Sequence, residues 1–110
     1  MKIFITGAKG QLGKEIIRQI EDRYPTYEVV ATDIDNLDIT CSDQVFDAIL
    51  SAKPNVVINC AAYTNVDRCE TNEYKAFSIN GIGVQNLSAA SFKVGAKLVQ
   101  VSTDYVFDGT

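Results

Sequence analysis

Histidine and tryptophan are both absent from these 110 residues. Without an imidazole the chain can build neither a Ser-His-Asp triad nor a His-ligated zinc site, so proton chemistry falls to Tyr, Lys, Asp, Ser and Thr. Cysteine is sparse: Cys41, Cys60 and Cys69 are odd in number and follow no close-spaced metal pattern, which reads as reduced, partly buried thiols. Positive charge is in deficit, with 10 Lys and Arg against 14 Asp and Glu, a net charge of −4 and a pI near 4.6. No basic face is available to neutralise a phosphate backbone. That excludes nucleic acid and anionic membrane as expected partners and requires any bound anion to be held locally. Long hydrophobic runs are missing too. The apolar run Ile3 to Ile5 is far short of the ~20 residues of a membrane span, and a cytoplasmic location is the expectation. Only two prolines occur, and there is no low-complexity segment or internal repeat.

What is present is enough for one folded domain. A chain of this length buries roughly two-thirds of the surface its unfolded form exposes, and 46% hydrophobic with 22% charged residues is an ordinary globular balance. Short apolar runs alternate with amphipathic segments. Lys2 to Thr6 reads as a first strand and Gln11 to about Tyr24 as a helix, with Leu12, Ile16, Ile17 and Ile20 on one face and Pro25 marking its end. Glu28 to Asp33 reads as a second strand. Thr40 to Ala52 reads as a second helix, opened by Thr40 three residues before Asp43 in the manner of a capping box. A third strand starts from Pro54, a long helical stretch from about Asn72 to Val94 is interrupted by Gly81 and Gly83, and Ala96 to Ser102 reads as a fourth strand. Strands that are nearly continuous in Val and Ile suit a parallel sheet covered on both faces. The expected fold is α/β, a three-layer doubly wound parallel sheet.

In that frame the opening stretch MKIFITGAKGQLGKEI places Gly7, Gly10 and Gly13 between the first strand and the first helix. The first glycine permits a tight turn, the second lets a pyrophosphate lie against the backbone, and the third lets the helix approach the strand. Free N–H groups at the helix start supply a partial positive charge for the diphosphate. Asp33 follows Gly13 by 20 residues, at the end of the second strand, where a carboxylate accepts the ribose hydroxyls of an adenosine. Together these features point to dinucleotide binding, with Gly-x-x-Gly-x-x-Gly spacing.

The stretch ITGAKGQLG resembles the fingerprint of the extended short-chain dehydrogenase/reductases. LDIT (Leu37 to Thr40), NCAAYTNVDRCE (Asn59 to Glu70) and VSTDYVFDGT (Val101 to Thr110) narrow the resemblance to the dTDP-4-dehydrorhamnose reductase family. The resemblance covers the whole chain and implies a Rossmann-like, NADH- or NADPH-binding domain. It implies that Gly10, Gln11 and Leu12 line the pyrophosphate, that Asp33 meets the adenosine ribose, and that Asp38 and Ile39 form the adenine pocket. Ala62, Tyr63 and Thr64 would lie beside the nicotinamide-side ribose, with Val101 also on the cofactor side. Thr103 would pair with the tyrosine and lysine of a Tyr-x-x-x-Lys motif to handle the substrate carbonyl, and Asp104 would lie beside the substrate. Plainer roles stand next to these. Asp38 and Ile39 also read as a turn carboxylate and a buried side chain, Ser102 and Thr103 as residues closing a strand, Asp67 and Glu70 as a solvated acidic patch, and Asn80 as a buried amide stitching the backbone.

No tyrosine in the chain is followed by lysine four residues on. The chain therefore reads as the N-terminal portion of a longer protein, expected to be inactive alone and a homodimer when complete. The implied activity is NAD(P)H-dependent reduction of dTDP-4-dehydro-L-rhamnose to dTDP-L-rhamnose, feeding cell-surface polysaccharide synthesis. A reductase of another 4-keto nucleotide sugar and a non-catalytic regulatory subunit of the same fold are the rival readings. On cofactor choice two residues disagree: Asp33 repels a 2′-phosphate, whereas Lys9 is placed where relatives carry a basic residue that reaches it. The expectation is use of both cofactors with a modest preference for NADH.

Overall fold

The structure, a computed structural model, describes residues 1–33, 35–60 and 78–101, with backbone alone at 78–80. Four strands, β1 (Lys2–Thr6), β2 (Glu28–Ala31), β3 (Val56–Asn59) and β4 (Lys97–Gln100), form one parallel sheet in the order β2-β1-β3-β4. Successive side chains of a strand point to opposite faces, and β1 is apolar on both. Ile3 and Ile5 pack with Ile16, Ile17 and Ile20 of helix α1 (Gln11–Arg23). On the other face Phe4, together with Val57 and Leu98, packs with Val45 and Ile49 of α2 (Ser42–Ala52) and with Leu87 and Ala90 of α3 (Val84–Val94). The sheet is thus covered on both faces, a doubly wound Rossmann-like arrangement. Among the described residues no helix is long and apolar enough to cross a membrane.

Element boundaries depart from the sequence reading where tertiary contacts decide them. β2 stops at Ala31, which is paired with Ile5, rather than running to Asp33. The Thr32 N–H still donates to the Ile5 carbonyl at 2.8 Å, after which the chain turns, with Asn36 and Leu37 N–H groups donating back to the Asp33 carbonyl. α2 begins at Ser42 with Cys41 as its N-cap and no side-chain capping bond, so the capping box expected of Thr40 is not formed. The Thr40 hydroxyl is engaged instead by Asp38, to which it donates at 2.6 Å, and Gln44 folds back to accept the Asp38 N–H at 3.1 Å. β3 starts at Val56 rather than at Pro54, and β4 is confined to Lys97–Gln100. Of the helical stretch expected over residues 72–94, residues 72–77 lie outside the described residues, and Ser78–Gly83 is π-helical before α3 begins. Gly83 lies so close to Ile39 that a Cβ there would meet its Cδ1 at 2.5 Å.

The turn from β1 into α1 is set by two glycines. Gly7 has φ of +69°, a left-handed conformation that costs an L side chain strain. Its carbonyl accepts the Gly10 N–H at 3.2 Å and closes the turn. Gly13 is buried against that same turn, and a Cβ on it would lie 2.3 Å from the Gly7 oxygen and 2.8 Å from the Ala8 Cα. Both obstacles are backbone, so neither can rotate away. A Cβ on Gly10, by contrast, would meet only the Gly7 oxygen at an ordinary 3.5 Å.

Two outcomes follow from this packing. Gly13→Ala displaces α1 from β1 and lowers stability by about 1–3 kcal/mol, whereas Gly10→Ala leaves it within ~0.5 kcal/mol. Denaturant titration of the two variants reads the difference. Ile49, with no exposed surface between α2 and the sheet, loses contacts it cannot replace, so Ile49→Ala costs about 2–5 kcal/mol in the same measurement.

Candidate functional site

In a parallel sheet of this kind, ligands bind outside the carboxyl ends of the strands at the point where the strand order reverses. Here the chain leaves β1 toward β2 on one side, while β3 lies on the other. α1 starts at that end of β1. Its N-cap is Gly10, in extended conformation with φ −72° and ψ 166°, with no side-chain cap and no acidic residue in the first turn. The intrahelical ladder opens with the Lys14 N–H donating to the Gly10 carbonyl at 2.9 Å. The N–H groups of Gln11, Leu12 and Gly13 precede that bond and give the helix end its partial positive charge.

The structure brings Asp33 to this turn. Its carboxylate accepts the backbone N–H of Lys9 at 2.7 Å, while its own N–H donates to the Asn36 side-chain oxygen at 2.8 Å. The Ala8 N–H donates to the Thr32 carbonyl at 2.9 Å, which stitches the glycine turn to the end of β2. A carboxylate 20 residues beyond Gly13 in sequence thus sits against the loop that contains Gly7 and Gly10. The Lys9 ammonium is paired with Asp35, whose hydrogen bond is the main cause holding the lysine pKa above its ordinary value. Further along helix α1, Arg18 hydrogen-bonds Glu15 and holds that carboxyl below its usual range, on the solvated face.

Asp38 and Ile39 have different surroundings. The Asp38 carboxylate accepts the Thr40 N–H at 3.0 Å and the Thr40 hydroxyl at 2.6 Å. Ile39 is 4% exposed and belongs to the core, with its carbonyl accepting from the Asn86 amide at 2.9 Å.

Across the carboxyl edge runs a polar row that the sequence reading left unassigned. Thr6, Asn59 and Gln100 occupy matching register positions on β1, β3 and β4. The Thr6 hydroxyl donates to the Asn59 oxygen at 2.5 Å, and the Asn59 amide donates to the Gln100 oxygen at 2.7 Å. Thr6 and Asn59 are fully buried and Gln100 is exposed, so the row runs from the core out to the surface. An amide ending the otherwise apolar VVI run of β3 is the signal that could have found it. Val101 continues the edge, its N–H donating to the Asn59 carbonyl at 3.1 Å. Beside it Cys60 is half-buried, and burial pushes its thiol pKa up, which keeps it protonated and unreactive.

Ala62, Tyr63, Thr64, Thr103 and Asp104 lie outside the described residues, as do Asp67, Cys69, Glu70 and Ser102. Of Asn80 only the backbone is described, within the π-helical segment. Asp35 is the other residue missed from sequence: its role depends on which way the turn after β2 returns, and no local pattern encodes that.

The family described as "RmlD substrate binding domain" matches residues 1–110. A dTDP-4-dehydrorhamnose reductase from Aggregatibacter actinomycetemcomitans is 49% identical over 108 residues, covering 98% of this chain and 36% of the relative. The crystal structure of a dTDP-4-dehydrorhamnose reductase from Clostridium acetobutylicum superposes with a TM-score of 0.87 at 55% identity, covering 99% of this chain and 38% of that one. A dTDP-4-dehydrorhamnose reductase from Bacillus anthracis, solved in complex with NADP, has a TM-score of 0.83 at 45% identity, covering 98% and 38%. The chain spans a little over a third of the length of these relatives. By its match over every residue and by these likenesses, the chain belongs to the RmlD substrate binding domain family.

Proposed function

We propose that the chain is the nicotinamide-cofactor-binding part of a reductase that converts dTDP-4-dehydro-L-rhamnose to dTDP-L-rhamnose. The observation that carries this reading is the uncapped amino end of α1, set behind the Gly7 turn with the Asp33 carboxylate held beside it by the Lys9 N–H. These residues fit a dinucleotide. The helix start offers N–H groups and partial positive charge to a diphosphate, Gly10 leaves the approach open, and Asp33 offers an acceptor to ribose hydroxyls. Gln11 and Leu12 flank the diphosphate, Asp38 stands on the adenine side with Ile39 packed behind it, and Ala62, Tyr63, Thr64 and Val101 line the nicotinamide-side ribose.

When bound, the nicotinamide supplies the hydride. The role of Thr103 is to donate a hydrogen bond to the substrate carbonyl oxygen, where negative charge develops as the carbonyl is reduced. Asp104, next in the chain, contacts the sugar nucleotide. The dTDP-sugar substrate is taken from what the relatives are named for, and the resemblance of VSTDYVFDGT to that family supports it. Both NADH and NADPH serve as cofactor in this reading, with Asp33 favouring the free 2′-hydroxyl.

Three variants of the complete protein test these roles. Gly10→Val obstructs the diphosphate while leaving the fold intact, so cofactor fluorescence titration shows affinity lost in a folded protein; unchanged affinity removes the glycine turn from the site. Thr103→Val lowers kcat by roughly 10²-fold, the scale of one lost oxyanion donor, with cofactor affinity little changed. Asp33→Ala shifts the NADH/NADPH ratio of kcat/KM toward NADPH, and an unmoved ratio takes that carboxylate away from the ribose.

A further inference from the structure

We propose that Asp35 is a cofactor-specificity residue, which holds the Lys9 ammonium away from the 2′ position and so restrains the use of NADPH. The inference rests on the dinucleotide reading of the glycine turn and goes beyond it. Lys9 is anchored twice. Its backbone N–H donates to Asp33 at 2.7 Å, which fixes where its side chain starts, and its ammonium pairs with Asp35, two residues past Asp33. Both members of the pair are about two-thirds exposed, at 66% and 68% of side-chain surface. The pair is therefore solvated and exchangeable, not a locked internal contact.

The consequence for a 2′-phosphate is electrostatic. A dinucleotide whose adenosine ribose meets Asp33 brings its 2′ substituent beside the residue whose N–H that carboxylate accepts. With a hydroxyl there, Asp33 accepts a hydrogen bond and the Lys9–Asp35 pair is undisturbed. With a phosphate there, the ammonium must leave Asp35 to neutralise the added charge, and the phosphate then faces two carboxylates, Asp33 and the abandoned Asp35. Lysine is a flexible point charge on a long stem and can serve only one of these anions well. Asp35 thus opposes NADPH by competing for the Lys9 ammonium, rather than by touching the cofactor. The Lys9 ammonium, raised in pKa by Asp35, is protonated throughout the neutral range, so the competition concerns position and not charge state.

The test is fluorescence titration of the complete protein with NADH and with NADPH, at low salt and at about 0.5 M salt. Removing the competitor in Asp35→Asn raises NADPH affinity relative to NADH by up to about fivefold, the range of an exposed ion pair. The gain shrinks at high salt, where exposed charges are screened. It disappears in the double variant Asp35→Asn, Lys9→Ala, because the freed ammonium is what produces it. An unmoved NADPH/NADH ratio in Asp35→Asn, or a gain that survives loss of Lys9, overturns the inference while leaving the cofactor site in place. Failure of the unsubstituted protein to bind either nucleotide instead overturns the dinucleotide reading beneath it.

Discussion

The carboxyl edge of this sheet depends on how near α1 can come to the end of β1. The limiting contact is Gly13 against the carbonyl oxygen of Gly7, where a single added carbon would lie 2.3 Å away. That same oxygen closes the turn by accepting the Gly10 N–H. One backbone atom therefore sets the shape of the loop and the distance of the helix. Because the helix start is pressed to this position without a cap, its N–H groups open at the end of the central strand. Lys9, carried on the loop, is brought within reach of both Asp33 and Asp35.

Around this contact the edge has two kinds of polar structure, which differ in stiffness. The row Thr6, Asn59 and Gln100 is buried for its first two members, and breaking a hydrogen bond there leaves a desolvated group at a cost of about 1–3 kcal/mol. It ties together the ends of three strands, from which the chain departs toward the residues proposed for the nicotinamide side. The Lys9–Asp35 pair stands in water, where a partner can be exchanged at small cost. A stiff floor with an adjustable rim is compatible with the dinucleotide site proposed above, which holds its ligand in register and discriminates at its far end.

Where the sequence reading departed from the structure, hydrogen bonds and contacts that local patterns do not encode decided the outcome. β2 is shorter than the sequence reading because the chain turns after Thr32, with the Asn36 and Leu37 N–H groups donating back to the Asp33 carbonyl, and Thr40 fails as a cap because Asp38 claims its hydroxyl first. Side-chain competition of this kind is invisible to a pattern that counts residue types along one strand of chain. The interruption at Gly81 and Gly83 was legible, but its form was not: a π-helical segment that sets Gly83 onto the buried Ile39 answers to a contact 44 residues away in sequence.

The sequence by itself determined the strand and helix order, the parallel sheet covered on both faces and the glycine turn, because these follow from local periodicity, glycine spacing and chain length between elements. It also carried the family in four short stretches. Only the tertiary structure decided that Ile39 is a core side chain, that Asn59 bridges Thr6 and Gln100, and that Asp35 holds Lys9. Each of these is a pairing between segments more than 20 residues apart, and which partner a polar or apolar side chain meets is set by register and packing that no local pattern contains.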